Sequence, residues 1–198
     1  MQFFQLKITL SDIKPPIWRR ILVAPEIKLD KLHEVLQIIM GWTNSHLHQF
    51  ETPDGYFANP SFGLEETQSS TKATLVSVLH GPKSHIRYEY DMGDSWDHQI
   101  VLEKVVEADQ PFLALCLDGK RACPPEDCGG FPGYENLLEI LKNPKHPEHE
   151  EMSEWVDSEF DSEAFDLEDV NAQLALLAAP RKKKAAAKKT ASRSAKRS

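Results

Sequence analysis

Residues 85–103, HIRYEYDMGDSWDHQIVLE, decide how this chain folds. Ile86, Tyr88 and Tyr90 alternate with polar neighbours, and Trp96, His98, Ile100 and Leu102 resume the same period of two beyond the run DMGD. Two such alternations joined by Asp and Gly predict a β-hairpin, since Asp bonds its own backbone and Gly accepts positive φ. Trp96 and His98 then share the inward face with Tyr88 and Tyr90, and a His there reads first as a hydrogen-bonded core residue. The hairpin commits the fold to an antiparallel sheet. Its tip also carries chemistry: Asp91, Asp94 and His98 offer two carboxylates and an imidazole that can hold a divalent metal or share a proton.

Working outward, residues 3–10, FFQLKITL, place Phe4, Leu6, Ile8 and Leu10 on one face of a strand, with Phe3, Gln5, Lys7 and Thr9 on the other. After Pro15 and Pro16, residues 17–24, IWRRILVA, resume an extended pattern and suggest an antiparallel partner. Residues 29–41, LDKLHEVLQIIMG, switch to a period of 3.6, with Asp30 as the expected N-cap and Gly41 as the stop. Residues 46–51, HLHQFE, read as a short strand carrying His46, His48 and Phe50 on one face. Residues 59–72 read as loop, and ATLVSVL (73–79) fits either a helix or a strand.

FLALCL (112–117) reads as a strand ended by an Asp118-Gly119 turn, and ACPPEDCGGFPG (122–133) as irregular. Three helices are expected after it: YENLLEILKN (134–143) stopped by Pro144, PEHEEMSEWV (147–156), and LEDVNAQLALL (167–177) capped by Asp166. The prediction is an α+β fold: an antiparallel sheet with one main helix packed on it and C-terminal helices, over residues 1–179. Residues 180–198 form a Lys/Arg/Ala-rich tail without aromatic or branched apolar side chains, which predicts disorder.

Charge divides the chain in the same place. Its net charge is −8, yet residues 181–198 hold nine cations and no acid: Arg181, Lys182, Lys183, Lys184, Lys188, Lys189, Arg193, Lys196 and Arg197. Residues 1–180, with 14 basic and 31 acidic side chains, carry −17. Such a tail would follow the phosphates of a nucleic acid without reading its sequence, or fold back on the acidic body. No apolar run is long enough for a membrane span and the first residues lack a signal-peptide pattern, so a cytoplasmic protein with no membrane partner is expected.

Further candidate ligands lie in two stretches. His46 and His48, two apart on a strand, point the same way and can chelate a metal. Cys116, Cys123 and Cys128 lack paired C-x-x-C knuckles but, with a fourth ligand such as His98, His85 or His46, would make a structural zinc site; otherwise they are small semi-buried thiols. Glu126 and Asp127 sit on a stiff loop between Pro-Pro and Gly-Gly, which suits a site or an ion pair with Arg19, Arg20 or Arg121. Phosphate-binding and dinucleotide-binding glycine loops, the G-x-S-x-G elbow and H-E-x-x-H are absent from the sequence.

Four blocks in order, PPIWRRILV, LHEVLQIIMGWTNSHLHQF, YEYDMGDSWDHQIVLE and ACPPEDCGGFPGY, resemble the plasmid pRiA4b ORF-3-like family, over roughly residues 5–134. The resemblance implies a compact α+β domain of undetermined biochemical function. It places Trp42, His46, His48, Asp91, Gly93, Asp94, Trp96, His98, Glu126, Asp127, Gly129, Gly130 and Tyr134 on the family's motif positions. It also implies a link to plasmids and insertion sequences. A resolvase activity is not carried over, because the chain lacks a recognisable recombinase nucleophile context. The expectation is an accessory binding protein that contacts nucleic acid through its tail. The alternatives are a metal-dependent hydrolytic enzyme built on the Asp/His/Glu cluster and a structural zinc domain built on the cysteines.

Overall fold

The computed structural model describes residues 1–156 and 160–178. Eight strands form one sheet: β1 (Gln2–Leu10), β2 (Trp18–Val23), β3 (His48–Thr52), β4 (Gly55–Ala58), β5 (Thr67–Ser69), β6 (His85–Tyr90), β7 (Trp96–Glu107) and β8 (Ala114–Lys120). Their order is β5-β4-β3-β6-β7-β1-β2-β8. Every described pair is antiparallel except β4 with β5. The β6–β7 hairpin forms as its alternation predicts: Ile86 faces Ile100, Tyr88 faces His98 and Tyr90 faces Trp96, across the five-residue connection Asp91–Ser95. Tyr88, Tyr90, His98, Ile100 and Leu102 are completely buried.

Five helices accompany the sheet: α1 (Leu29–Met40), α2 (Leu75–Val78), α3 (Gly130–Lys142), α4 (His149–Trp155) and α5 (Leu167–Ala178). The 3.6-residue stripe Leu29, Leu32, Val35, Leu36, Ile39 and Met40 joins the inward residues of the strands in one core, as burying an amphipathic face requires. Gly41 ends α1 at φ 81, as expected, but the N-cap is Lys28 and Asp30 lies in the first turn. The C-terminal helices α3 and α5 match α1 in length, so no single main helix stands out. α3 begins at Gly130, four residues before the expected start. Its N-cap Gly129 has φ 88, and Pro132 sits in the first turn, where its missing N–H costs no hydrogen bond.

Other local expectations change for packing reasons. Asp118-Gly119 lies inside β8 and makes no turn; a Cβ on Gly119 would come within 2.6 Å of the Phe165 ring, so the glycine marks a close approach. Phe3 is buried after all, stacked on Phe112 at 4.0 Å. Residues 59–72 contain β5 and a short 3-10 turn at Pro60–Phe62, and ATLVSVL contains the single helical turn α2. Asp166 accepts a bond from the Asp169 N–H at 2.9 Å and caps α5 as predicted.

α5 closes one edge of the sheet. The Asn171 amide accepts from the Cys116 N–H at 2.8 Å and donates to the Cys116 carbonyl at 2.9 Å, occupying groups that an edge strand would offer another chain. The tail cations at 181–198, and the disorder expected of them, lie outside the described residues. No helix among the described residues is long and apolar enough to cross a membrane.

Candidate functional site

Three connections meet beside the β6–β7 hairpin: its own loop, the α1–β3 connection carrying Trp42 to Leu47, and the loop PPED at 124–127. Trp42 stacks on Tyr90 with ring centres 4.9 Å apart, and its Nε1–H donates to the Pro124 carbonyl at 2.9 Å. Asp94 ties the hairpin to the start of α3. Its Oδ2 accepts from the Gly129 N–H at 3.1 Å, and its carbonyl lies so near Gly130 that a Cβ there would stand 2.7 Å from it. Asp94 and the Gly-Gly pair are thereby a clamp, and Asp94 is engaged in holding the loop.

The clamp brings His46 among three carboxylates. His46 Nδ1 is 3.5 Å from Asp91 Oδ2, and Nε2 is 3.2 Å from Asp127 Oδ1 and 3.5 Å from Glu126 Oε2. Nε2 is buried with no contact of hydrogen-bond geometry. Asp91 and Asp127 both adopt positive φ, 56° and 59°, a conformation Asp tolerates better than most residues. The Asp91 Oδ1 accepts from the Gly93 N–H at 2.9 Å, which gives Gly93 its part in the motif. Glu126 accepts from the Thr43 N–H at 2.7 Å, the Thr43 hydroxyl at 3.1 Å and the Tyr90 hydroxyl at 3.1 Å. Burial, helped by Glu126, pushes Tyr90 up to about 12, so its hydroxyl stays a donor.

One imidazole and two carboxylates, from His46, Asp91 and Asp127, present atoms within 4.8 Å of one another; among the described residues this is the one such group able to hold a metal ion. His46 and Asp91 also line a cavity of about 580 Å³. α1 supplies Asp30, His33 and Glu34 to it, and β3 supplies His48. The His33 and His48 rings stack 3.4 Å apart. Asn44 Oδ1 lies 2.8 Å from His33 Nε2 and Tyr88 OH lies 2.7 Å from Nδ1, an arrangement satisfied when Nε2 carries the proton and the hydroxyl donates to Nδ1. Burial lowers both rings, His48 to about 3.

The expected ligands separate accordingly. His46 precedes the strand and meets the acids, whereas His48 opens β3 and is buried on His33, so the two do not chelate together. His98 is a core residue: Nδ1 lies 3.1 Å from the Tyr88 carbonyl, the ring meets Trp42 edge-on, and burial holds it at about 4. Trp96 and Tyr134 are likewise core. The three thiols do not assemble: Cys123 lies against Arg19 and Met40, Cys116 near the Arg20 and Asp118 carbonyls, and Cys128 beside the Gly-Gly pair. Burial raises Cys116 and Cys123 to about 11 and Cys128 to about 12, so all three rest as neutral thiols. The arginines suggested as partners of Glu126 and Asp127 are engaged elsewhere: Arg20 with Glu103, Arg121 with Glu163, and Arg19 with carbonyls.

Sequence reading missed Asp30, His33, Glu34, Thr43, Asn44 and Phe62. A signal existed for one of them: His33 and Gln37, four apart, interrupt the apolar surface of α1, and both are buried.

Comparisons with known proteins give a consistent picture. The profile of the family described as "Plasmid pRiA4b ORF-3-like protein" matches residues 2–169. The uncharacterized protein y4hQ of Sinorhizobium fredii is 38% identical over 190 residues, which covers 91% of this chain and 95% of that protein. The crystal structure of MM3350, a protein of unknown function from Methanosarcina mazei, superposes with a TM-score of 0.75 at 34% identity, covering 85% of this chain and 97% of that one.

Proposed function

The chain belongs to the plasmid pRiA4b ORF-3-like protein family, and from the geometry of its site we propose that it binds a divalent cation such as zinc through His46, Asp91 and Asp127 and uses it to hydrolyse a small polar substrate in the adjoining cavity. The observation that carries this reading is the convergence of His46 with carboxylates from two separate loops. An imidazole with two carboxylates suits zinc or manganese, and three protein ligands leave a position for water. A bound metal would bring that water's pKa toward neutrality, and Glu126, held by Thr43 and Tyr90 beside His46, is placed to take its proton. The competing arrangement is a protonated His46 paired with the acids and no ion.

Titration calorimetry of chelator-treated protein with Zn²⁺ and Mn²⁺ separates the two. The expected result is binding of one ion per chain, abolished in His46→Ala and Asp127→Asn, together with metal-dependent turnover of p-nitrophenyl acetate or p-nitrophenyl phosphate. Absence of binding, or binding untouched by both substitutions, overturns the metal site; binding without turnover of either probe overturns the hydrolytic role.

A second reading rests on the nine cations of residues 181–198, a composition that favours contact with a polyanion such as nucleic acid. Salt-sensitive retention on DNA that disappears on deletion of 181–198 supports it, and retention unchanged by that deletion removes it.

A further inference from the structure

We infer that Asn44 is a positioning residue for the metal site, held by a closed ring of hydrogen bonds on His33, Gln37 and Tyr88 that places His46 between Asp91 and Asp127. The inference rests on the metal reading for what His46 binds, not for how His46 is placed. The connection from α1 to β3 has to leave a helix and bring one side chain to acids on two other loops. Three successive N–H groups of that connection donate to side chains: Thr43 to Glu126 at 2.7 Å, Asn44 to Gln37 Oε1 at 2.8 Å and Ser45 to the Tyr90 hydroxyl at 3.0 Å. These acceptors come from the PPED loop, α1 and β6, so elements fixed elsewhere in the fold set the path of the chain just before His46.

The middle contact belongs to the ring. The Tyr88 hydroxyl lies 2.7 Å from His33 Nδ1, and His33 Nε2 lies 2.8 Å from Asn44 Oδ1. The Asn44 N–H then donates to Gln37 Oε1, and Gln37 Nε2 donates back to the Tyr88 hydroxyl at 3.1 Å. With the proton on His33 Nε2, each member accepts once and donates once in the same sense, the arrangement in which hydrogen bonds polarise and strengthen one another. His33, Gln37 and Tyr88 are buried whereas Asn44 is exposed, so the ring carries the order of the core out to a surface residue two positions before His46. Asn44 also has φ 58, a conformation that Asn adopts more readily than most residues.

The test uses the full chain, with amide exchange of Thr43 and Ser45 followed by NMR in chelator and Zn²⁺ affinity measured by calorimetry. Tyr88→Phe removes only a hydroxyl, and Tyr88 lies outside the cavity lining. Asn44→Gly keeps the N–H and allows the same φ while removing the acceptor of His33, and Asn44→Asp restores an acceptor. In Tyr88→Phe and Asn44→Gly the two amides should exchange about five- to tenfold faster, the effect of one net hydrogen bond, with Zn²⁺ bound more weakly by a similar factor. Asn44→Asp should return exchange to that of the parent. If Tyr88→Phe fails to fold, the two Asn44 variants carry the test. Unchanged exchange, faster exchange in Asn44→Gly that Asn44→Asp does not restore, or faster exchange with undiminished Zn²⁺ affinity overturns the inference. A parent that binds no Zn²⁺ removes the metal site and leaves the placing of His46 to be decided by exchange alone. A parent that binds Zn²⁺ while exchange ignores the substitutions keeps the metal site and removes the ring from it.

Discussion

The loop from Cys123 to Asp127 touches a basic side chain at each end, and the two ends are built on opposite rules. At one end Arg19, 2% exposed, donates to the carbonyls of Ile39 at 2.7 Å, Trp18 at 2.9 Å, Lys120 and Arg121 at 2.8 Å, and lies 3.3 Å from Cys123 Sγ. Its guanidinium also packs 4.1 Å from the Phe165 ring. Among the described residues no carboxylate takes part; the charge is held by neutral acceptors, one of them in the last turn of α1, where the helix dipole is negative. At the other end His46 has three carboxylates around it, all at 3.2–3.5 Å. A centre whose donors are all bonded is finished as structure. A centre that gathers opposite charge without hydrogen-bond geometry is poised for something else.

The largest expected effect tests the finished end. Arg19→Leu takes the donor from four carbonyls, those of Ile39 and Arg121 in the buried interior, and should cost about 3–5 kcal/mol in urea unfolding, since each buried acceptor left unsatisfied costs about 1–3 kcal/mol. A loss below about 1 kcal/mol would mean that these carbonyls find other partners, and the contrast between the two ends would collapse.

His98, packed edge-on against Trp42 behind the site, sharpens the contrast through pH. Burial holds the folded imidazole at about 4, below the ordinary 6.5, so the unfolded chain takes up the proton first. The stability it contributes is full above pH 6.5 and is lost as pH falls from there toward 4, by about 3 kcal/mol in all. In His98→Phe the fall in stability between pH 7 and 4 should shrink by that amount. An unchanged acid limb would mean that the ring protonates without penalty and is no part of a closed core.

How much of this was legible in the sequence follows from what each feature depends on. The β6–β7 hairpin and α1 were readable because a period of two or of 3.6 records which face is buried, a local property. The start of α3 was not, because Gly129, Gly130 and Pro132 look like loop residues until Asp94 holds the Gly-Gly pair. Gly119 read as a turn because its reason, the Phe165 ring, lies 46 residues away in the chain. The site divided in the same way. Glu126 and Asp127 stood out on a stiff loop, Asp91 in the hairpin turn and His46 on a strand, but their meeting depends on Trp42 reaching Pro124. His46 and His48 looked equivalent by alternation and part company because β3 begins only at His48. The tyrosine that orients Glu126, Tyr90, was read as core, which it also is.

An intermediate effect tests whether the two ends communicate through the clamp. Gly130→Ala puts a methyl 2.7 Å from the Asp94 carbonyl at φ 68, and strain of this kind should cost about 2 kcal/mol. The more informative readout is Zn²⁺ affinity, since the clamp sets the distance between Asp91 and Asp127. Affinity falling alongside stability supports a site assembled by the hairpin and the loop together. If stability falls and affinity does not, the ligands belong to one loop only.

The smallest expected effect on the bare protein is also the most discriminating. If His46 were a protonated pin, His46→Ala would leave Asp91, Glu126 and Asp127 repelling one another and cost several times the 0–1 kcal/mol typical of a surface ion pair, about 2 kcal/mol or more. If the carboxylates are arranged for a cation, the chelator-treated variant should lie within about 0.5 kcal/mol of the parent, because contacts of 3.2–3.5 Å beside a solvated cavity contribute little. The difference should appear only when metal is added. At Zn²⁺ a hundredfold above its dissociation constant the parent should gain about 3 kcal/mol and the variant nothing, by mass action alone. Unfolding curves with and without Zn²⁺ therefore assign His46 to one side of the comparison. A variant destabilised in chelator and indifferent to metal places it with Arg19 as structure, whereas one silent in chelator and unresponsive to metal places it in an open site.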